Sequence, residues 1–194
     1  NYMRVPLRHH IQTDAVVQRN GNRLSHAAPT DTYPCAPGGP NDYVYLMATT
    51  PHMWKNILGT IGREDLIDDP RYTSMSERNK RFDEVYDFVK AWTVQHPKFD
   101  VMERFGKAGV PCGAVFDSHD IMTHPQLRER GMVATVEHPT RGSITMPGCP
   151  VQLDDSPVKV TPAPLLGQNN SEVYQDLLGL SAKEMQELEK EGII

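Results

Sequence analysis

The sequence predicts a mixed α and β chain in which an α+β unit spans about residues 42–115, with flanks that belong to a neighbouring domain. Three observations predict it. A run of β-formers, Tyr43, Val44, Tyr45, Leu46 and Met47, follows a loop rich in proline and glycine. Next come three stretches with apolar residues at helical spacing. A second set of short β-forming runs, at 132–136, 143–146 and 150–153, then precedes two C-terminal helices. The 194 residues suffice to bury a core, and 38% hydrophobic with 23% charged residues is the composition of a soluble globular protein.

In chain order, residues 1–17 set Tyr2, Val5, Leu7, Ile11, Ala15 and Val16 on a rough helical stripe that Pro6 interrupts. This helix-like beginning, with no Met at position 1, predicts that the chain continues a longer polypeptide. Residues 19–31 are polar and aperiodic, a linker with Asn20-Gly21 as its turn signal. At 33–49 the run YPCAPGGPNDYVYLMAT places Pro34, Pro37, Gly38, Gly39 and Pro40 directly before the 43–47 strand. The two glycines let the backbone approach a ligand closely, and the prolines limit how far the loop wanders.

Thr50 caps a helix that has Pro51 at its first position, Trp54, Ile57, Leu58 and Ile61 inward, and Gly62 as its stop. Asp68-Asp69-Pro70 breaks the chain. After Ser76 one long amphipathic helix turns Phe82, Val85, Tyr86, Phe88, Val89 and Trp92 inward and Glu77, Arg78, Lys80, Arg81, Asp83 and Glu84 toward water. Pro97 opens a helix with Phe99, Val101, Met102 and Phe105, stopped by Gly109, and 110–116 is a short buried strand or extended segment. Helical turns follow at 118–122 and 125–129. The runs at 132–136 and 143–146 form a hairpin through His138-Pro139-Thr140-Arg141-Gly142, with a further strand at 150–153 and an extended stretch at 158–168. A helix from Asn170 or Ser171 ends at Gly179, and a capping box of Ser181 and Glu184 starts the last helix, which Gly192 ends.

The chemistry-bearing residues exclude several function classes. Twenty basic against 25 acidic residues give a net charge of −5 with no long run of either sign, which argues against a nucleic-acid partner. Cys35, Cys112 and Cys149 are odd in number and lack CxxC spacing, so they suggest neither disulfides nor zinc and fit a reducing cytoplasm. No apolar run approaches the ~18 residues of a membrane span, and no basic-then-apolar leader is expected. The Gly38-Gly39 loop lacks both nucleotide-binding glycine patterns, which leaves a plain turn into the strand or a substrate lid. With no ionisable neighbour within four residues, Cys112 reads as a buried structural thiol rather than a nucleophile. His119 and His124 are five apart, not four, and with His9-His10 they read as solvent-facing or capping rather than metal-binding. Arg141-Gly142 and the pair Arg4 and Arg8 are weak candidates for gripping an anion. No metal site, permanently bound cofactor or acid/base pair is expected.

Three stretches, YPCAPGGPNDYVYL, GREDLIDDPRYTSMSERNKR and GVPCGAVFDSHDIMTHPQLRERGM, together with the closing APLLGQNNSEVY, resemble the family III CoA-transferases over essentially the whole chain. The resemblance places the run from Asp69-Pro70-Arg71 to Arg78 and Asn79 in a small domain, Gly109-Val110-Pro111 before the return to a large domain, and Ala163 to Gly167 in the tail. It implies a Rossmann-like α/β large domain built from both chain ends, an inserted α+β small domain, and two subunits threaded as interlocked rings. Residues 1–32 are then the end of the large domain's N-terminal part plus linker, 33–116 the small domain, and 117–194 the C-terminal return.

The same resemblance implies covalent chemistry in which an aspartate takes the acyl group from a CoA thioester and then carries CoA to an acceptor carboxylate. That aspartate belongs to a part of the family fold this chain does not match, so neither Asp31 nor Asp42 is assigned the role, and CoA-binding residues are not assigned. Gly38, Gly39 and Pro40 are the expected substrate loop, which shields reactive intermediates from water. Coenzyme A enters as a thioester substrate. The alternatives are an acyl-CoA racemase of the same fold and, in another class, a non-catalytic folding or association module.

Overall fold

A computed structural model describes residues 4–19, 21–24 and 27–194, which fall into two compact units, Asn1–Asp117 and Ser118–Ile194. The expected contributions of Tyr2, of Asn20 to the turn, and of the Arg4 side chain lie outside the described residues.

In the first unit, α1 (Arg4–Thr13) tolerates Pro6 because it sits in the first turn, where the amide has no helical acceptor to lose. Three antiparallel strands follow in spatial order, β1 (Thr30–Pro34), β2 (Tyr43–Met47) and β3 (Cys112–Ala114). Tyr33 lies opposite Val44, and Val44 opposite Ala114, so one face of the sheet presents Tyr33, Val44 and Leu46 to the core. The described residues of the unit also form four further α-helices, α2 (Pro51–Ile61), α3 (Met75–Lys80), α4 (Phe82–Thr93) and α5 (Lys98–Lys107), and a short 3-10 helix, Glu64–Leu66. Trp54, Ile57 and Leu58 of α2, Val85 and Val89 of α4, and Val101 and Phe105 of α5 fill the core beneath the sheet. Each such buried aliphatic or aromatic side chain contributes about 1.5–3 kcal/mol by leaving water. Ring contacts order the interior: Tyr33 stacks on Tyr86 at 4.8 Å, and Tyr72 meets Phe88 edge-on at 5.5 Å.

The second unit comprises α6 (Ser118–Thr123), α7 (Pro125–Glu129), the hairpin β4 (Val133–His138) and β5 (Gly142–Pro147), a π-helical segment Ser171–Leu177, and α8 (Ala182–Lys190). Its buried apolar side chains among the described residues are Val133, Val136 and Met185.

Four sequence expectations are corrected. The linker and loop reading missed β1, whose first three residues, Thr30, Asp31 and Thr32, are polar. The long helix after Ser76 is two helices, capped at Ser74 and broken at Arg81. That break resets the helical phase, and Arg78, expected to face water, is 1% exposed. The strand at 150–153 is absent: Val151 and Leu153 are exposed and no neighbouring strand pairs with them.

Candidate functional site

The loop between β1 and β2 is built from its two ends inward. At its base the Thr93 hydroxyl donates to the Pro34 carbonyl at 2.8 Å, the Cys35 amide to Asp42 O at 2.8 Å, and the Ala36 amide to His96 O at 2.9 Å. Lys98, 7% exposed, donates through Nζ to Asn41 O at 3.3 Å and Val115 O at 3.0 Å, tying the loop's return limb to the chain leaving β3. Two reciprocal bonds then close the tip: the Gly39 amide donates to Asp42 Oδ2 at 2.6 Å, and the Asp42 amide to Gly39 O at 3.2 Å. Gly38 holds φ +100, a conformation side chains with a Cβ rarely adopt, and a Cβ on Gly39 would meet Asp42 Oδ2 at 2.8 Å. Gly38 and Pro40 are exposed and Gly39 half-buried, so the three residues predicted as a substrate loop form one solvent-facing, internally braced turn. Beside it, on the outer sheet face, Asn22, Thr32, Tyr43 and Val115 line a shallow depression of about 400 Å³.

Both aspartates near the loop are engaged in hydrogen bonds. Asp42 braces Gly39, while Asp31 is 7% exposed, accepts from Arg23 Nε at 3.2 Å and accepts from the Thr32 amide at 2.7 Å. Burial, with the Asp42 charge adding to it, pushes the Cys35 thiol up to about 11. Cys112 is pushed up to about 12, again first by burial, so neither thiol is primed as a thiolate. Among the described residues no group of three His, Cys, Asp or Glu side chains is placed to hold a metal ion. His119 lies in α6 and His124 caps α7. Arg8 is exposed, and Arg141 is exposed in the turn between β4 and β5.

Three contributors to the loop went unread in the sequence: Asp42 as a brace, Thr93 as a base clamp and Lys98 as a tie. Lys98 carried a signal, since a cation in the first turn of α5 opposes the helix dipole and implies an acceptor elsewhere. Arg78 and Asn79, singled out as part of a motif, reach back to Ala28 rather than to the loop.

The sequence profile described as CoA-transferase family III matches residues 2–170, and the chain belongs to that family. Within it, the chain is 39% identical over 178 residues to a formyl-CoA:oxalate CoA-transferase of Streptomyces avermitilis and 38% identical to that of Streptomyces coelicolor. Each alignment takes in 92% of this chain and 43% of the relative, so the chain spans less than half the length of these relatives. A CAIB/BAIF family protein of Brucella suis shares the fold at a TM-score of 0.71 and 19% identity, over 90% of this chain and 44% of that one. A Mycobacterium tuberculosis structure shares it at 0.64 and 18% identity, over 88% and 43%.

Proposed function

We propose that this chain is the C-terminal portion of a CoA-transferase that exchanges CoA between formyl-CoA, or a similar short acyl-CoA, and a small carboxylic acid such as oxalate. The observation that carries this reading is the 39% identity, across nearly the whole chain, to a formyl-CoA:oxalate CoA-transferase. The nucleophile is an aspartate outside these 194 residues; the structural duties of Asp31 and Asp42 support that assignment. An aspartyl carboxylate that accepts the acyl group and then CoA divides one difficult exchange into two easier steps. The chain's contribution is the braced turn at Gly38, Gly39 and Pro40, which stands over the reaction centre and keeps water from the anhydride and thioester intermediates. In the whole protein a Rossmann-like large domain surrounds this small α+β domain, two subunits interlock as a homodimer in the cytoplasm, and the isolated chain is inactive. Among the described residues no helix is long and apolar enough to cross a membrane.

Incubating the intact protein with formyl-CoA and oxalate tests this directly. A hydroxylamine-sensitive acyl or CoA adduct, seen by mass spectrometry on a peptide outside these residues, is the expected result. Absence of any adduct, with solvent deuterium entering an acyl-CoA substrate at its α carbon, overturns the transferase in favour of a racemase. Turnover by the 194-residue chain alone overturns the placement of the nucleophile.

A further inference from the structure

Two adjacent residues of α3 grip both polar backbone groups of a residue fifty positions earlier. Arg78 Nε donates to the Ala28 carbonyl at 2.9 Å, and Asn79 Oδ1 accepts from the Ala28 amide at 2.9 Å. Ala28 is fully buried and Ala27 nearly so. Through Nη1 the same guanidinium donates to Tyr72 O at 2.7 Å and Thr73 O at 3.2 Å, and it lies 4.9 Å over the Trp54 ring. Its acceptors are backbone carbonyls and the Met75 sulfur, none of them a carboxylate. A guanidinium is tolerated in such an interior only where its rigid fan of donors meets carbonyls already fixed in place.

The segment is held on both sides of Ala28. Arg23 reaches Asp31 at 3.2 Å and Asp83 of α4 at 2.7 Å, with its guanidinium 4.5 Å from the Phe82 ring centroid. Asn22 donates to the Thr32 hydroxyl at 3.1 Å, and the Leu24 amide donates to Thr30 O at 3.3 Å.

We propose that Arg78 and Asn79 form a backbone clamp that straps residues 27–29 onto the α3–α4 corner. The strap fixes the direction in which the chain enters β1, and with it the base of the 36–42 loop. Residues 22–24 and 27–32, which read in the sequence as linker, are held in place here, so any swing of the glycine loop is confined to residues beyond Cys35. The inference stands on these contacts whatever reaction the protein performs.

Residue-resolved hydrogen exchange in the intact protein tests it. Asn79→Ala is expected to speed exchange of the Ala28 amide by about tenfold or more while Val44 and Leu46 change by less than about twofold. Asn79→Asp retains the acceptor and is expected to restore Ala28 protection. An Ala28 rate unchanged in Asn79→Ala overturns the clamp, as does equal acceleration at all three amides or an Asn79→Asp that behaves like the alanine variant. Should Asn79→Ala fail to fold, Arg78→Lys, which removes the separate Nε and Nη1 donors that serve the Ala28 and Tyr72 carbonyls, supplies the same comparison with the same two outcomes.

Discussion

Arg78 is a buried cation whose acceptors are backbone carbonyls and the Met75 sulfur. Burial pushes its guanidinium down to about 10, still well above neutral, so the group stays charged where it works. Replacing it by methionine fills much of the same volume yet leaves the Ala28 and Tyr72 carbonyls without their donor, and Arg78→Met is expected to cost about 2–4 kcal/mol in denaturant unfolding. A cost under about 0.5 kcal/mol would mean that water satisfies those carbonyls as well. At the loop tip, Gly39→Ala drives a Cβ against Asp42 Oδ2 and Asp42→Ala removes the same bond from its other end. Each single change is expected to cost about 1 kcal/mol, and the double variant little more than either, because both delete one interaction. Full additivity in a double-mutant cycle would refute the brace. Asp42 and Arg78 show why such roles were illegible: each is defined by a partner that local spacing does not reveal, and the phase shift at Arg81 moved Arg78 from the water side to the core.

Elements whose ends are fixed by neighbouring side chains were read almost to the residue. In α2 the Thr50 hydroxyl accepts from the Met53 amide at 3.2 Å and Gly62 closes the helix at φ +71, both foreseen because capping is local chemistry. Thr50→Ala is expected to lower stability by about 1 kcal/mol, measured as a shift of the chemical-denaturation midpoint. The capping box of α8 adds a pH signature. Hydrogen bonds from the Ser181 side chain, and then from its backbone, hold Glu184 below the ordinary glutamate range. A carboxylate whose folded value is lowered stabilises fully above its unfolded value and loses that contribution as pH falls through the folded one. The amides of the first turn of α8 should therefore keep helical shifts through mildly acidic pH and lose them below it, and Ser181→Ala should abolish this step; acid-insensitive shifts would show that the box adds nothing. β1 and the missing 150–153 strand mark the opposite case, since strand identity depends on a distant partner: Thr30 to Pro34 has β2 beside it, and Val151 with Leu153 has none.

On the scale of the whole molecule, burial is uneven. The first unit has a core enclosed by one sheet face and its helices, while the outer face of that sheet leaves Tyr45, Met47 and Val115 between 36% and 40% exposed. In the second unit Val133, Val136 and Met185 are buried, whereas Val151, Leu153, Val158, Leu166, Leu177 and Leu178 are 56% exposed or more. Apolar surface on this scale is what a protein covers with more of its own chain or with a partner, and relatives more than twice this length have the chain to do it. Composition gave no hint of this, because the count of apolar residues is ordinary and only their placement is not. The order of motifs along the chain was legible, since it reflects the whole family fold rather than any local rule. If the rest of the polypeptide covers these side chains, the 194-residue chain expressed alone should bind a hydrophobic dye such as ANS strongly and self-associate as its concentration rises, whereas the intact protein should do neither. Within the intact protein, amides at 151–158 and 171–178 should then exchange about tenfold or more slowly than in the isolated chain. Equal dye binding and equal exchange in the two forms would show that these segments stay open to water in the intact protein as well.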